Sequence, residues 1–493
     1  MHCLIRRRFC ILIEMNPNEI NRRTFFDRVG DGLYGAALAS LLTRDLYGAG
    51  PHHQTALPTD TRPRQPHFAP KAKSVIQLCM QGGPSQVDLF DPKPALDKFH
   101  GKDAPEEFTK VAPAGRSRKG QLMRSHFKFA QHGQGGAWVS ELLPETAKEI
   151  DNIAVIRSMF NVHENHEPAC YKWQSGETFP GHPTLGAWVT YGLGSVSQNL
   201  PAYVVLADPQ NSLPVNGVEN WMSGYLPPLF QGTSIKSEGT PMLHLKADFD
   251  EPAGVTAAKR NLINALDRIH KARRPNQPVL DSRIANYQMA ARMQVEATEV
   301  LDISRETEAT RKLYGIGEKE TDNFGKRCLM ARRLVERGVR FVQIYPKGQM
   351  WDNHDNIKTS LPAACKQSDL PTAGLLRDLR QRGLLDDVLI LWGGEFGRLP
   401  MAQGEYAEAG RDHGPSGFTN WMAGGGVKGG TVYGETDDIG YGAVKDRVSI
   451  QDWHATILHQ LGIDHEKLFF DRNGLHEKLT HTHPTRVVKE ILA

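Results

Sequence analysis

Side chains that can bind a metal ion recur at the ends of the apolar segments of this sequence. They are Asp88, His166, Asp352, His354, Glu395 and His413. Carboxylate oxygens and imidazole nitrogens together suit Zn²⁺ or Mn²⁺, and a bound divalent ion polarises an oxygen of a phosphoryl or sulfuryl group. We therefore predict a divalent metal site, with Ca²⁺ and Mg²⁺ as alternatives to the first two metals. All of these residues except His166 are assigned as metal ligands.

Three further assignments concern catalysis and substrate binding. His166 lies in a segment with two His and two Glu within residues 163–167, and it could be a nucleophile, a general acid or base, or a further imidazole ligand. Arg398 and Arg411 are candidates for holding an anionic substrate through paired hydrogen bonds, with surface ion pairs as the alternative for each. The predicted catalytic residues are therefore His166 and Arg411, acting on an anionic small-molecule or polysaccharide ester.

A buried strand at residues 388–392 is the element around which these side chains are expected to gather. It stops at Gly393 and Gly394 and leaves Glu395 just beyond its carboxyl end. Further strands are predicted at residues 74–80, 153–157, 202–206 and 339–345. Because open α/β sheets bind ligands at the carboxyl ends of their strands, we expect the candidate residues to converge on one rim.

Helices are predicted between these strands, which gives an α/β fold with a largely parallel sheet. The predicted helices cover residues 140–150, 183–191, 324–337, 368–382 and 452–461, and one more begins at His166 and ends before Gly176. Residues 255–337 are predicted to be mostly helical. The apolar stripe of Leu262, Leu266 and Ile269 is interpreted as a helix face in the core.

Composition places the chain among ordinary globular proteins. Of its 493 residues, 39% are hydrophobic and 23% are charged, which excludes a disordered or collagen-like chain. The net charge of +3 does not favour a nucleic-acid partner. The six Cys contain no C-x-x-C pair, so neither a zinc ribbon nor a dense disulfide framework is predicted.

The amino-terminal segment resembles an export signal. Arg22 and Arg23 precede a short, weakly apolar run, a pattern typical of twin-arginine signals, with an amphipathic surface helix as the alternative. We predict export to the periplasm or the medium. The predicted organisation is an export signal with an upstream extension (1–50), a linker (51–70), one domain (71–480) with insertions near 101–136 and 208–280, and a tail (481–493). No stable transmembrane segment is expected.

Several motifs together resemble the family called domain of unknown function 1501, in the alkaline phosphatase–sulfatase superfamily. They are LCMQGGPSQVDLFDPKP, WDNHDN, LWGGEFGR, GRDHGPSGFTNWMAGGGVKGG and DWHATILHQLGI, and the likeness covers residues 75–462. The resemblance implies an α/β/α sandwich with one or two divalent metals at the carboxyl edge of its sheet. It also implies cleavage of phosphate or sulfate esters.

The resemblance assigns roles residue by residue. Asp352 and His354 occupy the place of an Asp-x-x-x-His ligand loop with shorter spacing. Glu395 takes a position after a strand where the superfamily has an Asp-His pair, and His413 resembles the last His ligand. Where the superfamily has an Asp after its first strand, this chain has Gln81.

The nucleophile of the superfamily is replaced in this chain. Asp88 lies seven residues beyond Gln81, and His166 opens the helix that carries a Ser, Thr or modified Cys in the superfamily. The sulfatase signature Cys-x-Pro-x-Arg is absent from the sequence. Hydrolysis by the usual covalent route is therefore not implied.

The sequence is compatible with three functions. The leading one is an exported metal-dependent hydrolase of sulfate or phosphate esters. The second is a catalytically degenerate binding or scaffold protein for an acidic polysaccharide, which the replaced nucleophile favours. The third is a metal-dependent isomerase or mutase, which the superfamily also contains.

Overall fold

A computed structural model places nine strands in one central, mostly parallel sheet. The structure describes residues 60–109, 120–207, 213–237, 252, 254–274, 277–405 and 408–493. In chain order the strands of the sheet are β1 (Ser74–Cys79), β2 (Ile153–Phe160), β3 (Tyr203–Ala207), β4 (Thr233–Lys236), β5 (Phe341–Ile344), β6 (Val388–Gly393), β7 (Phe418–Ala423), β8 (Val432–Tyr433) and β9 (Val448–Ser449). The longer strands are rich in Val, Ile and Leu because both faces of the sheet are covered.

The topology brings the strands that lead to the candidate residues together at the centre of the sheet. Neighbouring strands follow the order β8-β2-β7-β6-β1-β5-β3-β4, and β9 also pairs with β2. Within this sheet β7 runs antiparallel to β2 and β6, and the other pairs are parallel. Strand β1 aligns Ser74 with Val388 of β6 and Val75 with Phe341 of β5. The carboxyl ends of β1, β5 and β6 therefore lie side by side.

Helices cover both faces of the sheet. Those of the described residues are α1 (Gln86–Leu89), α2 (Pro94–Lys98), α3 (Glu106–Thr109), α4 (Pro144–Ala147), α5 (His166–Ser175), α6 (Leu185–Leu193), α7 (Val255–Ala272), α8 (Pro278–Leu301), α9 (Glu308–Leu313), α10 (Asp322–Glu336), α11 (Ile357–Gln381) and α12 (Ile450–Gln460). Ile76 and Leu78 of β1 pack in the core that holds α10 and α11. Val75 and Cys79 point to the opposite face, where α5, α6 and α12 pack. This alternation along β1 produces the two cores of a three-layer α/β/α fold.

Short elements complete the architecture. Antiparallel pairs join Phe129–His132 to Ala137–Ser140, Gly397–Arg398 to His413–Gly414, Glu435–Thr436 to Ala443–Lys445, and Phe470–Arg472 to Leu475–Glu477. Short 3₁₀ helices cover Ile150–Asn152, Gly217–Trp221, Pro228–Phe230, Ile303–Arg305, Leu385–Asp387 and Lys489–Ile491. The pair that contains His413 is the one that contributes to the candidate site.

The predicted fold class and the central strands are confirmed. Five predicted strands correspond to β1, β2, β3, β5 and β6, and the sheet is mostly parallel as expected. Helix α5 begins at His166 and ends at Ser175, followed by Gly176 with a φ of 82°. Glycine adopts this left-handed conformation without the penalty that a Cβ would bring, so it ends the helix.

Two predicted helices differ from the structure. Residues 140–150 do not form one helix: they contain the end of a strand, the short α4 and the start of a 3₁₀ turn. Helix α11 begins at Ile357, eleven residues before the predicted start, and contains Pro362 and Pro371. Ser368 is not its N-cap, because its hydroxyl donates to the carbonyl oxygens of Ala364 and Cys365 inside the helix.

The interpretation of the apolar stripe on α7 as a core face is wrong. Leu262, Leu266 and Ile269 are more than half exposed, and no residue of α7 is buried. The polar side of the helix faces α8 instead, through a hydrogen bond from Gln288 to Asn264. Helical periodicity showed that one side is apolar but could not show which side meets the protein.

The predicted export signal and residues 51–59 of the predicted linker lie outside the described residues. The proposed boundaries at residues 71 and 480 and the two insertions stay predictions. Within the part of the chain that the structure describes, no helix combines the length and apolarity needed to cross a bilayer.

Candidate metal centre

Four side chains converge on one point at the carboxyl rim of the sheet. One ligand atom from each of His166, Asp352, His354 and His413 lies within 4.8 Å of the others. The Oδ1 atom of Asp352 lies 2.9 Å from Nε2 of His354, 3.2 Å from Nε2 of His166 and 3.3 Å from Nε2 of His413. Among the described residues this is the one group of three or more such side chains that meets in this way.

The other ring nitrogen of each histidine is held by an oxygen. Nδ1 of His166 donates to Oε1 of Glu395 at 2.7 Å, and Nδ1 of His413 donates to the carbonyl of Glu164 at 2.6 Å. Nδ1 of His354 donates to the side-chain oxygen of Gln403. When each ring is neutral with its proton on Nδ1, its Nε2 lone pair faces the centre, as in metal-binding histidines.

The arrangement fits a cation better than it fits a set of hydrogen bonds. A tetrahedral ion with bonds of about 2.0 Å separates its ligands by about 3.3 Å, which matches the oxygen-to-nitrogen distances around Asp352. Nε2 of His166 is buried and makes no hydrogen bond, although Asp352 is close. A buried ring nitrogen without a partner is costly, and a metal ion would satisfy it.

The loops that carry these residues are held together by close backbone packing. Gly82 follows β1 with a φ of 109°, and a Cβ there would lie 2.6 Å from the backbone nitrogen of Asp352. Asp352 follows β5, so this contact fixes the distance between two neighbouring strand ends. His413 lies in a two-residue strand that pairs with Gly397–Arg398, beyond the end of β6. Close backbone contact thus attaches Asp352 to the rim, and strand pairing attaches His413.

Arg398 fixes the position of the central carboxylate. Its side chain is fully buried and donates to Oδ1 of Asp352 and to the carbonyl oxygens of Gly82, Gly83 and Arg411. All of these acceptors belong to the protein. The arginine therefore orients Asp352 and the turn after β1, and the predicted contact with a substrate anion is replaced by these contacts.

The structure places Asp88 and Arg411 away from the centre, in contact with each other. Nε of Arg411 lies 2.6 Å from Oδ2 of Asp88. Both side chains are buried, and neither belongs to the four-residue cluster. Arg411 also donates to the carbonyl of Pro400, and Ser85 donates to Asp88. Although burial would raise the pKa of Asp88, Arg411 and its hydrogen bonds lower it. The assignment of Asp88 as a ligand and of Arg411 as a catalytic residue is therefore replaced by a buried structural ion pair.

Glu395 lies behind His166 and not in the ligand cluster. It is fully buried, and its Oε1 atom also accepts the backbone N–H of Gly82 at 3.0 Å. Its Oε2 atom has no hydrogen-bond partner. Glu395, predicted as a direct metal ligand, therefore contacts the cluster through His166, whose imidazole ring lies between Glu395 and the centre.

The charges around the centre favour a positive group. Burial disfavours protonated His166, but the carboxylates of Asp352 and Glu395 beside its ring outweigh burial and raise the pKa of His166 to about 9. Burial would raise the pKa of Asp352, yet its contacts with the three histidines and Arg398 lower it well below the usual range. Burial lowers the pKa of His413. At neutral pH the two carboxylates are balanced by Arg398 and by protonated His166, and a bound cation would take the place of the His166 proton.

The sequence predicted three of the four residues of the cluster as metal ligands, a role that stays a prediction, and it missed most of the groups that hold them. Asp352, His354 and His413 were predicted as ligands, while His166 was predicted as a catalytic group, with ligation as one alternative. Gln403 lies in a polar loop with no motif around it. The carbonyl of Glu164 is a backbone group, so no side-chain pattern could have indicated it.

The fold and the site together define an α/β/α protein whose sheet rim carries a three-histidine, one-aspartate cluster that could hold a metal ion. The chain belongs to the family described as Protein of unknown function (DUF1501), whose model matches residues 72–492. No curated protein matches the chain.

The comparison with solved structures gives matches of low identity and low TM-score, among them a sulfatase, a lipoteichoic acid synthase and a phosphonate monoester hydrolase. The PsFucS1 sulfatase from Pseudoalteromonas sp. matches at 11% identity and a TM-score of 0.36, over 82% of this chain and 69% of that one. The lipoteichoic acid synthase LtaP from Listeria monocytogenes matches at 9% identity and a TM-score of 0.33, over 82% and 76%. The phosphonate monoester hydrolase SpPMH from Silicibacter pomeroyi matches at 10% identity and a TM-score of 0.33, over 71% of each chain.

Proposed function

We propose that this chain is a metal-dependent hydrolase that acts on a sulfate or phosphate ester. The proposal rests on one observation: the Nε2 atoms of three histidines converge on one oxygen of Asp352. The Nδ1 atom of each histidine is hydrogen-bonded to an oxygen on the other side of the ring. A structural role alone would not need three imidazole lone pairs at one point. Sites of this composition suit Zn²⁺ or Mn²⁺.

His166, Asp352, His354 and His413 would hold the ion. Once bound, a divalent ion would act as a Lewis acid on a phosphoryl or sulfuryl oxygen of the substrate. His354 is the most exposed of the four side chains, at 33%, and Asp352 follows at 22%. The substrate therefore approaches from the side of these two residues, while His166 and His413 lie deeper.

The residues behind the ligands have defined tasks in this proposal. Glu395 keeps the proton of His166 on Nδ1, so that Nε2 faces the centre. Arg398 holds Asp352 in place and offsets part of its charge before the ion binds. Such supporting contacts reduce the reorganisation needed when substrate charge develops.

Metal content and ester hydrolysis test the proposal together. The full chain, loaded with Zn²⁺ or with Mn²⁺ and freed of excess ion, should retain about one ion per chain by mass spectrometry. Asp352→Asn should lose the ion, and the matched control Asp355→Asn should keep it, because Asp355 is an exposed carboxylate in the same loop. Aryl sulfates and phosphate mono- and diesters are the substrates to compare.

The expected result is metal-dependent cleavage of at least one ester class that Asp352→Asn abolishes. Loss of metal binding in both variants, or no binding by the parent chain, would contradict the proposed metal site. Tight metal binding without cleavage of any ester would favour the second function below.

A second function is a binding protein for an acidic polysaccharide on the same scaffold. One observation favours it over hydrolysis: the first residue of α5 is His166, an imidazole held by Glu395, where a covalent mechanism would need a hydroxyl or thiol nucleophile. Retention on immobilised sulfated polysaccharide, unchanged in Asp352→Asn, would support this function over hydrolysis.

Export by the twin-arginine route is part of the proposal. It rests on Arg22 and Arg23 in the sequence. Fusion of residues 1–70 to a folded reporter should direct it across the membrane, and Arg22→Lys with Arg23→Lys should abolish this. Unchanged transport by the paired variant would contradict the route.

A further inference from the structure

We propose that helix α7 binds an anionic lipid surface through its exposed apolar face. Four large apolar side chains of this helix are 53–61% exposed: Leu262, Ile263, Leu266 and Ile269. They occupy positions i, i+1, i+4 and i+7, so they form one continuous stripe. Because no residue of α7 is buried, packing against the core does not account for this stripe.

The polar side of α7 is the side that meets the protein. Asn264 accepts a hydrogen bond from Gln288 of α8 at 3.3 Å, and Lys271 pairs with Asp281 of α8 at 2.7 Å. Helices normally turn their apolar side inward and their polar side to water. The inverted orientation of α7 is what leaves the stripe available to an apolar partner.

The charge of the helix identifies the partner. Residues 255–274 contain six Lys or Arg and one Asp, a net charge of +5, which falls to +4 when Asp281 of α8, the partner of Lys271, is included; the whole chain carries +3. The basic residues are Lys259, Arg260, Arg268, Lys271, Arg273 and Arg274. An amphipathic helix with Leu and Ile on one face and Lys and Arg around it lies in the interface of anionic membranes.

The same charge argues against a second copy of this chain as the partner. Two α7 helices packed along their apolar stripes would bring two clusters of positive charge together, and like charges at short range repel. Anionic phospholipids supply both the apolar layer and the opposite charge. The long Lys and Arg side chains can extend from the buried stripe to the headgroups.

Vesicle flotation tests the proposal with the full chain. The parent chain should float with vesicles of phosphatidylcholine and phosphatidylglycerol in equal parts, and much less with pure phosphatidylcholine. Leu262→Ser with Leu266→Ser should weaken binding at least about tenfold, because the apolar contact is lost. The matched control is Ala257→Ser with Asn261→Ser, two exposed positions on another side of α7, and it should bind within about twofold of the parent.

A charge variant separates the electrostatic part of binding from the apolar part. Arg273→Gln with Arg274→Gln should weaken binding to the anionic vesicles by about tenfold or more, and added salt should weaken the parent in the same direction. Circular dichroism and metal content of all variants should match those of the parent, because α7 contributes nothing to the metal centre.

Three results would overturn the proposal. The first is equal flotation with neutral and anionic vesicles. The second is unchanged flotation of the Leu262→Ser, Leu266→Ser variant. The third is a parent chain that is dimeric, does not float and becomes monomeric in that variant, because a second copy would then cover the stripe.

Discussion

Replacing Glu395 by Gln would show whether this buried carboxylate prepares His166 for metal binding. The change keeps the size of the side chain and an oxygen that can accept from Nδ1, but it removes the negative charge 2.7 Å from the ring. Supporting carboxylates of this kind contribute about 10- to 100-fold to metal affinity. We therefore expect Glu395→Gln to weaken Zn²⁺ binding by a factor in this range.

The metal-free protein offers a second measurement of the same effect. Glu395 and Asp352 together raise the pKa of His166 to about 9, against an ordinary value of about 6.5. Removing one of the two carboxylates should lower that pKa by at least about one unit, or about 1.4 kcal/mol. An NMR titration of labelled imidazole groups measures this shift directly, and competition with a chelator measures the affinity.

The sign of the accompanying stability change follows from the raised pKa. A histidine with a raised pKa stabilises the metal-free fold fully below the unfolded value of about 6.5, and this contribution is lost as the pH rises through about 9. The parent should therefore lose stability relative to Glu395→Gln between these pH values. An unchanged His166 pKa together with a metal affinity within twofold of the parent would refute the assigned role.

Two further predictions concern the elements that support the centre. Arg411→Leu should lower the free energy of unfolding by about 3–5 kcal/mol at pH 7, because it leaves Asp88 buried without its partner; urea denaturation measures this. Because the pKa of Asp88 is lowered in the folded state, the deficit should shrink as the pH falls below about 4, and a deficit independent of pH would contradict the ion pair. Gly82→Ala should cost about 2 kcal/mol or more and weaken metal binding, because its Cβ would overlap the backbone of Asp352; unchanged metal affinity would show that this approach does not position the carboxylate.

The rim of the sheet could be predicted because strand ends follow from composition and order alone. Apolar segments that stop at glycine gave β1 and β6, and the parallel arrangement placed the segments after them side by side. Asp352, His354 and His413 were expected there and lie there. The rule that ligands bind at the carboxyl ends of strands therefore predicted the position of most residues of the cluster.

The partners of the predicted residues could not be read from spacing. Asp88 lies on the short helix α1, and its contact with Arg411 links positions 323 residues apart. Glu395 follows a strand as expected, yet one imidazole ring separates it from the centre. Which side chain binds an ion and which holds that ligand depends on a few ångströms that sequence patterns do not contain.

Helix α7 shows the same limit at the level of packing. The periodicity of its apolar residues was predicted correctly, but burial depends on which face the neighbouring helix contacts. Gln288 and Asp281 of α8 present polar groups to α7, so the polar side is the one that packs. An amphipathic pattern alone does not determine which face is buried.

X-ray absorption at the metal edge of the loaded full chain is the most direct test of the central claim. With Zn²⁺ bound, we predict one ion surrounded by three imidazole nitrogens and one carboxylate oxygen at about 2.0–2.2 Å, with Asp352→Asn losing the site. A spectrum with sulfur ligands, with fewer than three imidazoles, or with only loosely bound water around the ion would contradict it.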